Sequence, residues 1–262
     1  MNKLHIIKVG GKVLDDGPSL EKFLDDLSGI RERKIVVHGG GKLASELAEK
    51  LGISQAMVNG RRITDAKTLE VVTMVYAGLL NKRMVALLQA RAVNALGLSG
   101  ADLNSIRAHK RQGGGIDFGY AGDIDEINVP LLAKLVEEGL TLVFCPITHD
   151  SKGQLFNTNA DTIAAALAIS FSERYEVQLN YCFEKKGVMK NVEDAGSLIP
   201  VMTESEYRRL LQEGAISQGM IPKLDNSFAA IVKGVSRVVI GDSGSLSEII
   251  QAKEHCGTIL TA

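Results

Sequence analysis

The chain has 262 residues, 45% hydrophobic and 23% charged, with 30 lysines and arginines against 31 aspartates and glutamates. That length and apolar content suit one large α/β domain or two closely joined lobes, with a core that needs no disulfide or metal staple. A net charge of -1 argues against a general nucleic-acid or membrane-surface binder.

The three cysteines, Cys145, Cys182 and Cys256, are far apart and form no CxxC or Cys/His spacing, so reduced structural thiols are expected. The N-terminus runs directly into an apolar strand with no secretory pattern, and uninterrupted apolar runs fall far below the ~18 residues that cross a bilayer. A cytoplasmic protein without membrane contact is the expectation.

Short β-branched runs alternate with helical patterns along the chain. Leu4–Val9 reads as a strand and Ser19–Glu32 as an amphipathic helix, followed by a strand at Lys34–Val37 and a helix over Leu43–Leu51. Thr64–Ala95 carries a long helical pattern, and Asn94–Gly97 reads as a helix end before a short strand around Leu98. Ile106–Tyr120 breaks the rhythm with His109-Lys110-Arg111 and Gly113-Gly114-Gly115, and reads as a mobile loop or hairpin. Then come a helix at Val129–Glu138, a strand at Leu140–Pro146 and an Ala-rich helix at Asp161–Phe171. Val177–Tyr181, Glu204–Glu213, Lys223–Val232 and Val238–Gly241 continue the alternation. This is the signature of βαβ units and a mostly parallel sheet covered on both faces.

Two strands end in glycine-rich turns, Lys8-Val9-Gly10-Gly11-Lys12 and Val37-His38-Gly39-Gly40-Gly41-Lys42. Glycine lets the backbone approach an anion and turn its N–H groups toward it, and a following helix adds its positive end. Neither turn is a GxxxxGK[ST] P-loop or a GxGxxG dinucleotide turn, and the protein-kinase HRD and DFG motifs are absent. Lys8 falls at the carboxyl end of the first strand, where open α/β sheets hold ligands. Lys223, in Gly219-Met220-Ile221-Pro222-Lys223, sits at a helix start, where a cation opposes the dipole unless an anion compensates it. Asn157-Thr158-Asn159-Ala160-Asp161 supplies an N-cap and an acidic first turn for the Ala-rich helix.

KVGGKVLDD, VVHGGGK, GRRIT, NTNAD and GMIPK occur in this order, and the chain thereby resembles the acetylglutamate kinases of the amino acid kinase family over nearly its whole length. The resemblance implies a three-layer αβα sandwich with a mostly parallel central sheet. Its lobes would bind the acyl amino acid (about residues 1–155) and ATP with Mg²⁺ (about 156–262). It implies transfer of a phosphoryl group to the side-chain carboxylate of N-acetyl-L-glutamate, or of a related N-acyl-glutamate such as N-succinyl, in arginine biosynthesis. Lys8 and Lys223 match the lysines that stabilise the transferring phosphoryl group, and Asp161 the aspartate that organises them. Gly40 and Gly41 match backbone donors around phosphoryl and substrate, with Gly10 and Gly11 complementary at the first turn. Arg62 matches the arginine on a substrate carboxylate, and Asn157 a substrate-binding asparagine. No protein-held metal set is implied.

The chemistry of the residues agrees. A carboxylate acceptor is ionised at pH 7 and needs no strong base, only in-line positioning and neutralisation of developing charge. His38 is accordingly read as a turn residue and not as a base. The stretch Leu179–Val188 departs from the Thr/Ser-Asp-Val-x-Gly turn of the family and carries Lys185 and Lys186 in its place. Arg61 and the basic residues Arg107, His109, Lys110 and Arg111 exceed what an acetyl group would require, which keeps a succinyl group open. A kinase for another acceptor and a non-catalytic amino-acid sensor are the rival classes. Arginine-regulated members carry an extra N-terminal helix that builds hexamers. Here the first strand begins by Leu4, so a homodimer without arginine feedback is expected.

Overall fold

The computed structural model describes residues 2–58, 61–113, 115–191, 194–216, 220–251, 253 and 256–261. Gly60 of the GRRIT motif, Gly114 of the central loop, Gly219 of GMIPK and the side chain of Arg61 lie outside the described residues. In chain order the elements are β1 (Lys3–Val9), α1 (Gly11–Asp15), α2 (Gly17–Gly29), β2 (Arg33–His38), α3 (Gly41–Lys50), β3 (Ala56–Val58), β4 (Arg61–Ile63) and α4 (Ala66–Thr73). A π-helical segment, Met74–Leu80, joins α4 to α5 (Asn81–Gln89). There follow β5 (Ala95–Leu98), β6 (Ile106–Lys110), β7 (Gly122–Ile127), α6 (Val129–Glu137), β8 (Thr141–Phe144), β9 (Ile147–His149), β10 (Leu155–Asn157), α7 (Ala160–Phe171) and β11 (Glu176–Phe183). The chain ends with β12 (Val201–Thr203), α8 (Glu204–Gln212), α9 (Ile221–Val232), β13 (Arg237–Asp242), α10 (Leu246–Ile250) and β14 (Thr258–Thr261).

These elements form two compact units, 1–34 with 164–262, and 35–163. In the first, the strand order is β12-β14-β13-β11-β1, with every pair parallel except β13–β14. Its central strands are apolar without alternation: Leu4, Ile6, Ile7 and Val9 of β1 are fully buried, as a parallel strand covered on both faces requires. In the second unit, β2, β8 and β5 pair in parallel, and a separate sheet is ordered β10-β9-β6-β7. The expected class, a mostly parallel α/β sheet flanked by helices, is what the chain adopts. The compact units are cut differently from functional lobes at 1–155 and 156–262. Residues 1–34 group with the C-terminal part because β1 pairs with β11 along seven residues.

Local chemistry sets the element ends. The Asp16 carboxylate accepts from the Ser19 N–H at 2.9 Å and starts α2, with Pro18 just inside. Asn128 and Pro130 open α6 in the same way, and Gly139, at φ +83°, stops it. Ile106–Tyr120 resolves as the hairpin alternative: β6 and β7 pair antiparallel. The segment expected as helix over Thr64–Ala95 is narrower, because Thr64 pairs with Gly119 and Ala95 opens β5.

The helical stretch Ala66–Gln89 has the length and mean hydropathy, 1.4, of a bilayer-crossing helix, and it is the one such stretch among the described residues. Its Val71, Val72, Val75, Met84 and Leu88 are core residues, so its apolar content is accounted for by packing. The three cysteines are free thiols, as expected. Burial pushes Cys145 and Cys182 well above the ordinary thiol range, which keeps them protonated and unreactive.

Two histidines are sealed in the interior. His5 and His38 are 2% and 0% exposed, and burial lowers each from 6.5 to about 4. In the unfolded chain each imidazole takes its proton near pH 6.5, and in the folded chain only near pH 4. Between those values the unfolded chain binds more protons, so stability falls as pH drops from 6.5 toward 4. The slope is at most about 1.4 kcal/mol per pH unit for each histidine. Urea unfolding at pH 7 and pH 5 is expected to show this loss, and a smaller one in His38→Gln. An equal loss in the variant would show that His38 charges while the chain is folded.

Candidate active site

The second glycine turn is built around a contact that only glycine permits. Gly40 adopts φ +152°, and a Cβ there would stand 2.3 Å from Leu80 Cδ1 and 3.1 Å from Tyr76 Cδ1. Both neighbours belong to the π-helical segment, which is packed directly on the turn; π segments recur at functional sites. His38 is locked beside it. Its Nδ1 lies 2.8 Å from the Gly39 carbonyl oxygen and its Nε2 3.2 Å from Asn81 Nδ2, which also donates to the Val143 carbonyl at 2.9 Å. These partners assign the proton to Nδ1, donating to Gly39, with Nε2 accepting from Asn81. His38 is fully buried and both its nitrogens are engaged within the fold.

A cavity of about 190 Å³ opens beside the turn, lined by Gly39, Gly40 and Gly41 together with Arg62, Tyr76, Arg111, Asn157 and Asn159 among others. Arg62 and Asn157, 95 positions apart in the sequence, are thus brought together with Gly40 and Gly41 within the second unit. Arg62 Nη2 donates to the Gly41 carbonyl at 3.0 Å and to Ser45 Oγ at 2.9 Å. That anchors one end of the guanidinium and leaves donors elsewhere on its fork for a ligand carboxylate. Burial pushes the Tyr76 hydroxyl up in pKa against the pull of Arg62, so the phenol stays neutral beside it. Asn157 Nδ2 donates to Thr64 Oγ1 at 3.0 Å, which fixes the amide in the cavity wall.

Asn159 is the N-cap of α7: its side-chain oxygen accepts from the N–H groups of Asp161 at 2.9 Å and Thr162 at 3.1 Å. Asp161 follows in the first turn, where a carboxylate suits the helix dipole.

In the first unit the two lysines share one neighbour. Lys8 is in register with Tyr181 of β11, and the Lys223 ammonium stands 4.4 Å from the centroid of the Tyr181 ring. Lys223 is only 8% exposed at the third position of α9. The ring face offers it ~0.5–2 kcal/mol, part of the cost of holding a buried cation at the wrong end of a helix. Tyr181 is the residue that sequence reasoning missed, because an aromatic in an apolar strand looks like any other core residue. At the first glycine turn, the Gly10 N–H donates to the Cys182 carbonyl at 2.9 Å. That bond engages the donor expected to face an anion and leaves the part to Gly11, the first residue of α1. In the atypical stretch after β11, Lys185 and Lys186 are exposed and Glu184 pairs with Lys12 at 2.7 Å.

The pattern of a family described as "Amino acid kinase family" matches residues 3–242. The chain belongs to the amino acid kinase family. Within the family it is 52% identical to an acetylglutamate kinase of Phocaeicola vulgatus, over 94% of this chain and 96% of that one. It is 49% identical to an acetylglutamate kinase of Cytophaga hutchinsonii over 100% of both chains, and 37% identical to that of Methanopyrus kandleri over 94% of this chain and 97% of that one. In fold the chain is similar to the N-acetylglutamate synthase of Neisseria gonorrhoeae solved with coenzyme A and N-acetyl-glutamate. That likeness has a TM-score of 0.85 and 23% identity, and covers 100% of this chain and 59% of that one. The carbamate kinase of Giardia lamblia shares the fold more distantly, with a TM-score of 0.68, 13% identity, and 99% and 98% of the two chains covered.

Gly40→Ala is the sharpest test of the turn. It combines a strained φ with a side-chain clash, and overpacking of this kind costs on the order of 1–3 kcal/mol. We expect a lower melting temperature and a loss of acceptor binding measured by calorimetry. An alanine variant of unchanged stability and affinity would show that the turn relaxes freely.

Proposed function

We propose that this chain transfers the γ-phosphoryl group of ATP to the side-chain carboxylate of N-acetyl-L-glutamate, or of a close N-acyl analogue, in arginine biosynthesis. The observation that carries this reading is the cavity itself. It combines glycine backbone, an anchored arginine and asparagine amides, and His38 beside the glycine turn has both nitrogens engaged. Such a site can hold an anion that is already a nucleophile, and is poorly suited to an acceptor that must first lose a proton. The names of the relatives, acetylglutamate kinases at 37 to 52% identity, support the same acceptor.

In the proposed reaction an oxygen of the acceptor's side-chain carboxylate attacks the γ-phosphorus. The bond from that phosphorus to the oxygen bridging to the β-phosphate breaks, and ADP leaves with the bonding pair. The product is an acyl phosphate, and no proton moves. Arg62 would hold the α-carboxylate through the donors it does not spend on its neighbours, and Asn157 and the Gly40–Gly41 backbone would orient the acceptor. Lys8 and Lys223 would neutralise the charge that spreads over the phosphoryl oxygens as it transfers, with Asp161 keeping the lysines in place and Gly11 receiving a phosphate oxygen while Gly10 lets the backbone approach.

Among the described residues no cluster of three or more His, Cys, Asp or Glu side chains is arranged to hold a metal ion. A magnesium ion would arrive with the nucleotide phosphates, its usual ligands in kinases. A homodimer in the cytoplasm completes the proposal.

Full-length enzyme with ATP and N-acetyl-L-glutamate is expected to release ADP and form an acyl phosphate that hydroxylamine traps. ADP release that does not depend on an acyl-glutamate would overturn the reading. Lys8→Arg and Lys223→Ala are expected to lower kcat by orders of magnitude while the fold survives. Asp161→Asn separates two roles. As a helix-start charge alone it would cost about 1 kcal/mol or less of stability and little activity. As the organiser of two lysines it should abolish most activity at a near-normal melting temperature, and that is the outcome expected.

A further inference from the structure

Among the described residues two arginines line the acceptor cavity, and the reaction as described occupies only one of them. The second is Arg111, the residue that follows β6 in the β6–β7 hairpin. Its backbone N–H donates to the Ala121 carbonyl at 2.7 Å, which fixes the chain at this point. Next to Ala121, Gly122 starts β7 without a side chain, paired with Lys110. A Cβ there would come within 2.7 Å of Phe156 Cβ and Thr158 Oγ1, so the hairpin approaches the cavity wall as closely as backbone allows.

The neighbouring basic residues set Arg111 apart. Arg107 pairs with Glu126 at 2.7 Å, His109 with Asp125 at 2.6 Å and Lys110 with Asp117 at 2.9 Å, and all three are well exposed. These are ordinary solvated surface contacts, and the basic character of the loop as a whole says nothing about substrate. The Arg111 side chain is 12% exposed, and none of the other three lines the cavity. Its partner is Asp123: Nε lies 3.0 and 3.1 Å from the two carboxylate oxygens, and Nη2 also donates to Oδ1. The ring of Phe118 packs against the guanidinium, 5.9 Å from its centroid.

Asp123 neutralises the charge of Arg111 but uses few of its donors. A guanidinium carries five N–H groups. One on Nε and one on Nη2 go to Asp123, which leaves three, two of them on Nη1. These lie on a side chain that is held rigidly and faces a cavity in which Arg62 already serves one carboxylate. An N-acetyl-glutamate brings two carboxylates, the reacting one and the α-carboxylate, and ends in a methyl group with nothing to offer a guanidinium. An acyl group ending in its own carboxylate would accept from the unspent donors.

Resting on the acyl-glutamate kinase reading above, we propose that Arg111 is a specificity-determining residue that selects an N-acyl group with a terminal carboxylate, of which succinyl is the simplest usable probe. Asp123 acts through Arg111, holding the fork in place and preventing a bare charge from facing an empty cavity.

The test compares N-succinyl-L-glutamate with N-acetyl-L-glutamate as acceptors for the full chain, measured as ADP release at saturating ATP. The expected result is a kcat/KM about 10–100-fold higher for the succinyl substrate, the range that a desolvated charge-assisted contact commands. In Arg111→Gln that ratio should collapse, chiefly through a raised KM for the succinyl substrate, and Arg111→Lys should retain part of it. A preference of the unmodified enzyme for the acetyl substrate overturns the proposal and needs no variant at all. So does a ratio that Arg111→Gln leaves unchanged, which would assign Arg111 to the common part of both substrates or to hairpin structure alone. Turnover of neither substrate would instead defeat the kinase reading on which this proposal stands, so the two failures are told apart.

Discussion

The cavity of the second unit depends on one close approach, that of Gly40 to Tyr76 and Leu80. Because the turn carries no side chain, the π-helical segment can press against it, and because it presses, Tyr76 reaches the wall of the cavity. Arg62 is then held from two sides, by the Gly41 carbonyl and Ser45 on α3 and by the Tyr76 hydroxyl. His38 and Asn81 tie the same two elements together beneath the surface. A single position without a Cβ therefore fixes the relation among a strand end, two helices and the arginine expected to recognise substrate. Protein interiors are close-packed, so a contact of this kind transmits displacement and does not absorb it.

The chemistry is one of placed charge and not of proton transfer. The titratable groups nearest the glycine turn are disarmed: His38 is neutral and doubly hydrogen-bonded, and Tyr76 is kept protonated by burial. What remains active is cationic. Lys223 is kept at a helix start with an aromatic ring beneath it, in a position where its own backbone disfavours it. A residue held against the local dipole and largely out of water is the kind of local inconsistency that folds tolerate at functional positions. The ring face of Tyr181 offsets part of the cost of holding the ammonium there.

Much of this was legible in the sequence, and the exceptions have physical causes. The strand and helix alternation came through because buried parallel strands are continuous apolar runs and the helices are long enough to show their period. The strands β3, β4, β9, β10, β12 and β14 escaped because three or four residues carry no period, and α1 because five residues following two glycines look like a loop. The glycine turns, Arg62 and Asn157 could be read as candidates from residue type and order. Their convergence on one cavity could not, since it depends on the β10 strand that brings Asn157 beside Thr64. Nor could sequence separate Arg111 from Arg107, His109 and Lys110. The four look equivalent in a basic run, and only the fold shows that Arg111, just past the end of β6, lines the cavity while the other three do not.

The π-helical segment has a consequence for the chain downstream of it. A π turn takes up one residue more than an α turn, and in an α-helix each residue advances by about 100° around the axis. The segment Met74–Leu80 thus acts as a phase shifter within one continuous rod from Ala66 to Gln89. Upstream, the phase directs Val71 and Val72 into the core. Downstream, the shifted phase turns Asn81 toward His38 and Met84 and Leu88 inward. If one residue were lost from the segment and the helix became regular, every side chain after it would rotate by that angle. The core could repack with other apolar residues from the same stretch. Asn81 has no substitute at the neighbouring positions, where Leu80 and Lys82 stand, so the imidazole under the glycine turn would lose its partner although not one residue of the turn had changed.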